Sequence, residues 1–313
     1  MLAIGVDVGG TKIAMGVVDE TGRILAQVRR DTDPHDTDGI DRVIAETCNE
    51  LGREYEVGAI GLAACGFVSA DRATMAFAPN IAWRDYPLAK NVSALLELDV
   101  PVVVENDANA AGWAEFRFGA GRDATDMLML TIGTGLGGAV IVGRELVRGR
   151  WGVAAEVGHM RVVPDGHSCG CGHSGCWEQY ASGSALVREA RAAVVALPHR
   201  SARLLELGGT SQGIEGPHVT KAAAEGDSLA VELIATLGRW IGEGAASVAA
   251  LLDPEIIVIG GGVCAAGDLL LLPARKGYES QLSALGHRPV ARIELAEQGN
   301  DAGIIGAADL ARR

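Results

Sequence analysis

Short apolar runs broken by glycine open the chain. Residues 4–8, 13–18 and 24–29 read as three β-strands, separated by Gly9-Gly10 and by Glu20-Thr21-Gly22. Apolar positions at helical spacing predict a helix over residues 40–51, and a strand follows at 59–65. Residues 88–98 read as a second helix, 101–104 as a short buried strand, and 108–118 as an Ala-rich helix that stops at Gly119. Near residue 126 the pattern starts again, with β-type runs at 127–132 and 139–142 around the glycines of 133–138. This weak repeat of strand, glycine turn and strand predicts two related α/β halves. Helices dominate next, at 181–197, 219–224 and 229–252. A strand at 256–259, a glycine turn at 260–262, a helix at 270–282, a strand at 291–295 and a helix at 302–311 complete the pattern. No low-complexity linker marks a boundary, which is placed at the end of the 101–104 strand.

Composition narrows the function. Of 313 residues, 48% are hydrophobic and 21% charged, enough for a well-buried core and too apolar for global disorder. Lys and Arg number 27 against 40 Asp and Glu, a net charge of −13 that repels phosphate backbones and anionic lipid. Nucleic-acid and membrane-surface partners are therefore not expected. The apolar start is short, lacks a basic n-region and contains Asp7, so it reads as a strand and not a secretion leader. The longest apolar stretches, such as 255–263, fall short of a membrane span. Six cysteines, three of them clustered, fit a reducing compartment, and the cytoplasm is the expected location.

Three glycine turns can present unobstructed backbone N–H groups to phosphate: Gly9-Gly10-Thr11-Lys12, residues 133–138 and residues 260–262. None has the register of a Walker A loop. Residues 133–138 do fit G-x-G-x-x-G and 260–265 fit G-x-G-x-x-A. A dinucleotide fingerprint must open a helix, whereas Gly138 is followed by a β-type run, and the second match has too little chain after it. Thr11 and Thr134 add hydroxyl donors, and the set favours a phosphate site over simple hairpin turns. At Glu105-Asn106-Asp107, an Asn or Asp can cap the following helix. The same turn at the end of a strand can place Asp107 in a ligand cleft, where its carboxylate accepts a proton from a hydroxyl nucleophile while Asn106 holds a neighbouring hydroxyl. The two readings are compatible. Cys169, Cys171 and Cys176 lie on a Gly-rich loop within eight positions, spacing that suits one tetrahedral zinc ion. His159, His167 or His173 can supply the fourth ligand, and spacing alone does not choose.

Together these motifs resemble the ROK family (repressors, open reading frames and kinases), specifically its zinc-containing bacterial glucokinases. The similarity runs end to end, through Asp7-Val8-Gly9-Gly10-Thr11-Lys12, Ala78-Pro79-Asn80, Glu105-Asn106-Asp107 and Gly133-Thr134-Gly135-Leu136-Gly137-Gly138. It continues in Glu156-Val157-Gly158-His159, Cys169-Gly170-Cys171-Gly172, Gly175-Cys176-Trp177-Glu178 and Gly260-Gly261-Gly262. The resemblance implies an α/β chain of the actin/hexokinase-like (ribonuclease H-like) fold, with two domains around a cleft. A small domain of residues 1–105, joined by a C-terminal helix near 301–313, faces a large one of 106–300 with a zinc-binding insert at about 159–178. The implied activity is ATP-dependent phosphorylation of glucose at its 6-hydroxyl. By resemblance Asp107 is the catalytic base, and Gly66, Asn80, Asn106, Glu156, His159 and Glu178 join it around the sugar. Asp7, Gly9, Gly10, Thr11, Lys12, Thr134 and Gly135 line the triphosphate and magnesium region, with Gly260, Gly261 and Gly262 near the adenosine. The resemblance also selects His159 to complete a structural zinc site with the three cysteines, and it implies a homodimer or homotetramer. One departure is Cys65, where many relatives have proline before the glycine at 66; a modest effect on that loop is expected. The alternatives are another sugar kinase of the family, acting on mannose, fructose or N-acetylmannosamine, a polyphosphate donor, or a sugar-responsive repressor. The last needs a helix-turn-helix extension before residue 7, and there is no room for one.

Overall fold

A computed structural model describes residues 1–313, which divide into two compact units. In chain order the elements begin with β1 (Leu2–Val8), β2 (Lys12–Val18), β3 (Ile24–Asp31), α1 (Thr37–Glu54) and β4 (Val57–Ala64). Three very short strands follow, β5 (Phe67–Val68), β6 (Met75–Phe77) and β7 (Arg84–Tyr86), then α2 (Leu88–Leu95), β8 (Val102–Asn106) and α3 (Asp107–Phe118). Next come β9 (Met127–Ile132), β10 (Leu136–Val142), β11 (Glu145–Leu146), α4 (Gly183–Ala196), α5 (Ala202–Gly208), α6 (Gly216–Ala224) and α7 (Ser228–Leu252). The chain ends with β12 (Ile256–Gly260), α8 (Asp268–Gln281), β13 (Arg292–Leu295) and α9 (Ala302–Ala311).

The first unit comprises Met1–Asp123, Ala139–Ala155 and Glu297–Arg313. Its sheet has the order β3-β2-β1-β4-β8, antiparallel across the first three strands and parallel across β1, β4 and β8. Alternation of side chains along the strands sorts the two faces. Ile4, Val6, Ile60 and Leu62 point into a core with Ile40 and Ile44 of α1 and with Leu88 and Val92 of α2. Full burial of each such side chain stabilises by about 1.5–3 kcal/mol. The opposite face carries the small residues Ala3 and Ala59, against which Ile304 and Ala308 of α9 pack. Expected boundaries hold to within a few residues, except that α2 stops at Leu95, where Leu96 turns extended. The strands β5, β6 and β7 escape the pattern because two to three residues show no periodicity, and the seven-residue α5 escapes it because it buries only Leu204.

The unit boundary differs from the one placed at residue 105. Helix α3 stays with the first unit because Ala114 packs on Ala302 and Ile305, and the Trp113 indole N–H donates to Asp309 at 2.9 Å. The second unit comprises Ala124–Gly138 and Glu156–Ala296. Its parallel strands run in the order β9-β12-β13, and the 25-residue α7 packs along α8. Strand β10 carries the chain from the second unit into the first, where it pairs with β11. No helix is long and apolar enough to cross a membrane.

Candidate functional site

In the first unit the candidate residues gather where parallel strands end. The register aligns Asp7 with Ala63 and Ala63 with Glu105, so β1, β4 and β8 release the chain side by side at Gly9, Cys65 and Asp107. Carboxyl ends of parallel strands are where open α/β sheets bind ligands. Asn106 is the N-cap of α3: its Oδ1 accepts the Asn109 N–H at 3.0 Å, and its Nδ2 donates to the Gly66 carbonyl at 3.1 Å. The capping role and a site role thus share one turn. Asp107, half-buried, accepts the Ala108 N–H at 2.9 Å. Burial pushes its carboxyl above the usual range, opposed by that N–H and by a hydrogen bond from the Cys65 thiol. The Asp7 carboxyl is pushed up to about 6, first by burial and then by the charge of Asp107. Cys65, expected to affect only its loop, therefore touches the Asp107 carboxylate directly.

Gly66 adopts φ 131°, and a Cβ there would lie 2.3 Å from the Phe77 carbonyl. Only glycine fits, and its fit holds the segment before Asn80 against the end of β4. Asn80 is exposed and lies against Gly10. The Gly9-to-Lys12 turn is a tight hairpin in which the Gly9 N–H donates to the Lys12 carbonyl at 3.0 Å, leaving Thr11 and Lys12 exposed.

In the second unit, the turn between β9 and β10 rests on the start of α4. Gly183 N–H donates to the Gly133 carbonyl at 2.8 Å, and Ser182 caps the helix by accepting the Ala185 N–H at 3.1 Å. As the sequence required, residues 133–138 lead into a strand, not a helix. Beside this turn lies a cavity of about 940 Å³, lined by Thr134, Ser184, Arg188, Lys221, Gly262 and other, mostly apolar, neighbours. Its size and its mixed walls suit a nucleotide. Thr134 and Gly262 reach it, whereas Gly135, Gly260 and Gly261 do not line it. Gly261 instead packs on Ile132, and Gly135 lies against the Glu178 carboxylate.

Gly158 brings the next site together: a Cβ there would sit 2.1 Å from the Leu136 carbonyl, so only glycine lets the turn after Glu156 press against the start of β10. His159 follows. Its Nδ1 lies 3.6 Å from the Cys169 sulfur, and the sulfurs of Cys171 and Cys176 are 3.6 Å apart. All four ligand atoms fall within 4.8 Å of one another. Tetrahedral thiolates bound at 2.3 Å lie roughly 3.8 Å apart, so the donor set matches zinc in number, chemistry and spacing. Geometry selects His159 over His167, whose ring packs at a tilt against Tyr180, and over His173. The Glu178 carboxylate accepts from the Cys169 thiol at 2.9 Å, a contact that the sequence did not suggest. Glu156 accepts the His159 N–H through its backbone carbonyl at 3.1 Å.

An acidic turn at the ends of parallel strands, a nucleotide-sized cavity and a Cys/His cluster in an α/β chain define a sugar-kinase-like protein of the actin/hexokinase-like fold. The ROK family model matches residues 3–313, and the chain belongs to the ROK family. It is 51% identical over 312 residues to the glucokinase of Streptomyces coelicolor, covering 99% of this chain and 98% of that protein. The crystal structure of a ROK family glucokinase from Streptomyces griseus in complex with glucose and AMPPNP is 51% identical, with a TM-score of 0.90 over 100% of this chain and 99% of that one. The N-acetylmannosamine kinase of Escherichia coli K12 is 31% identical over 316 residues, covering 100% of this chain and 99% of that protein. Sequence reasoning missed Ser184, Arg188 and Lys221 of the cavity. They come from two separate helices, α4 and α6, with no shared local spacing to announce them.

Proposed function

We propose that the protein phosphorylates glucose at the 6-hydroxyl with ATP, and that Asp107 is the general base. The supporting observation is the Asp107 carboxylate itself. It opens α3 at the end of a parallel strand, held by an N–H and a thiol, beside a turn whose Asn106 is fixed by two hydrogen bonds. Phosphoryl transfer asks for positioning and charge stabilisation more than covalent chemistry. Asp107 orients the sugar hydroxyl and takes its proton as the bond to the γ-phosphorus forms, a contribution of roughly 10²–10⁴-fold. Gly66, Asn80, Asn106, Glu156, His159 and Glu178 hold the sugar. Gly9, Gly10, Thr11, Lys12, Thr134 and Gly135 offer donors to the phosphates, and Gly260, Gly261 and Gly262 belong to the adenosine side.

The hard oxygen donors of Asp7 would suit magnesium, which would supply charge neutralisation to the ATP phosphates. Zinc, when bound by His159, Cys169, Cys171 and Cys176, fixes the loop and the His159 tautomer, leaving Nε2 for a sugar hydroxyl. Burial holds the Cys169 and Cys176 thiols protonated well above their usual range, and zinc ligation reverses that preference. A Cys169 thiolate no longer donates to Glu178, which frees that carboxylate for sugar. ATP and glucose meet in the cytoplasm, where this reading places the enzyme, as a homodimer or homotetramer. The functional test is turnover of glucose, mannose, fructose and N-acetylmannosamine with ATP and with polyphosphate. Glucose with ATP is expected to give the highest kcat/KM. A higher value for another sugar reassigns the substrate, and no turnover of any sugar overturns the reading.

A further inference from the structure

Glu105 opens the acidic turn and has no role in the reaction as set out above, yet its carboxylate is buried and fully engaged. Its Oε1 accepts the Asn106 N–H at 3.1 Å and the Asn109 side-chain amide at 3.0 Å. Its Oε2 accepts Arg148 Nε at 2.7 Å and lies 3.8 Å from Arg72 Nε. Arg72 in turn donates to the Leu310 carbonyl of α9 at 2.9 Å, and the Arg148 carbonyl accepts the Ala154 N–H at 3.0 Å. One carboxylate therefore joins the end of β8, the first turn of α3, α9 and the Ala139–Ala155 segment of the first unit. Two guanidiniums converge on it, and burial together with Arg148 pulls the Arg72 guanidinium below its usual range. A buried ion pair is a poor stabiliser compared with apolar packing of the same volume, because desolvation offsets most of the attraction. What this one supplies is direction: it grips the backbone N–H of the residue immediately before Asp107.

We propose that Glu105, counter-charged by Arg148, is a positioning residue for phosphoryl transfer, aiming Asp107 by fixing the Asn106 backbone and the first turn of α3. The proposal rests on Asp107 as the base. Glu105→Gln keeps the shape and loses the charge that holds two guanidiniums. Misplacement of a reacting group by about 1 Å costs up to 10²-fold. The expected result is a kcat reduced by about 10–100-fold, with KM for ATP within about twofold, in protein shown to be folded by circular dichroism. Arg148→Lys retains charge without the planar donor and is expected to fall between parent and Glu105→Gln. The double variant Glu105→Gln/Arg148→Met removes the carboxylate and its closer guanidinium, leaving Arg72, so it is expected to regain part of the Tm lost by the single Glu105→Gln change but not kcat. A purely structural clamp predicts the opposite pattern, lowered Tm with kcat at 25 °C unchanged, and that result overturns the proposal. If Glu105→Gln fails to fold, Arg148→Lys carries the same kcat readout. Asp107→Asn is measured alongside. An active Asp107→Asn sinks the assignment of the base, whereas an inactive one with parental kcat in Glu105→Gln and Arg148→Lys sinks this proposal alone.

Discussion

Asp7 holds a carboxylate where burial and a neighbouring negative charge both disfavour it, and this has a measurable consequence for stability. In the folded chain its pKa is about 6, against 3.8 for an aspartate free in water. Well below pH 3.8 the group is protonated in folded and unfolded chains alike and contributes no penalty. As pH rises toward 6 the unfolded chain releases the proton first, so folded stability falls, and above 6 the loss is complete. At 1.36 kcal/mol per pK unit the difference between 6 and 3.8 amounts to about 3 kcal/mol. Asp7→Asn keeps the volume that packs on Gly303 and removes the charge. In magnesium-free buffer containing chelator, the variant is expected to unfold about 3 kcal/mol less readily than the parent at pH 7.5. By about pH 3 the two should coincide, the gap opening as pH rises through 3.8 and levelling off near 6. Calorimetric Tm across that range reads it directly, and the full effect corresponds to roughly 6–12 °C. Turnover is expected to fall at the same time, a trade of function for stability. A gain independent of pH, or a loss of stability at pH 7.5, refutes the argument.

Removing one sulfur from the Cys/His cluster tests the zinc assignment. Cys171→Ser is expected to lose bound zinc, read by metal analysis, and turnover together; full activity in zinc-free protein defeats the claim that the metal preorganises the sugar site. Cys65→Ala removes the thiol that favours the ionised Asp107, so the acidic limb of the kcat/KM profile is expected at higher pH, while Cys65→Ser keeps it near the parental position. A limb that stays put in the alanine variant, or moves to lower pH, contradicts that role.

Legibility followed period and proximity in sequence. Long strands such as β4 and β12 and helices such as α1 and α9 were readable because alternation and 3.6-residue spacing report burial on one face. Local spacing marked the three cysteines as one metal-ligating group, whereas His159 came from the family resemblance, and the Gly9–Lys12 turn, read as a phosphate turn in preference to a simple hairpin, folds as a tight hairpin. What spacing could not supply were contacts made by folding. Trp113 and Ala114 commit α3 to the first unit through α9, nearly two hundred residues away, which moved the boundary beyond residue 105. Glu105 finds Arg148 across 43 positions, and the Cys65 thiol meets Asp107 only because β4 and β8 lie side by side. The cavity walls are drawn from α4, α6 and the loop after β12, so no contiguous motif announced Arg188 or Lys221.

Asp107 as proton acceptor is the centre of the proposed mechanism, and Asp107→Asn tests it because the amide preserves shape and cannot take a proton. The decisive measurement is kcat of that variant with saturating glucose and ATP, on protein whose glucose affinity has been determined by calorimetry. The account predicts retained affinity with turnover below about 1% of the parent, in keeping with the contribution of a general base. Activity above a few per cent with glucose bound as before places the proton elsewhere.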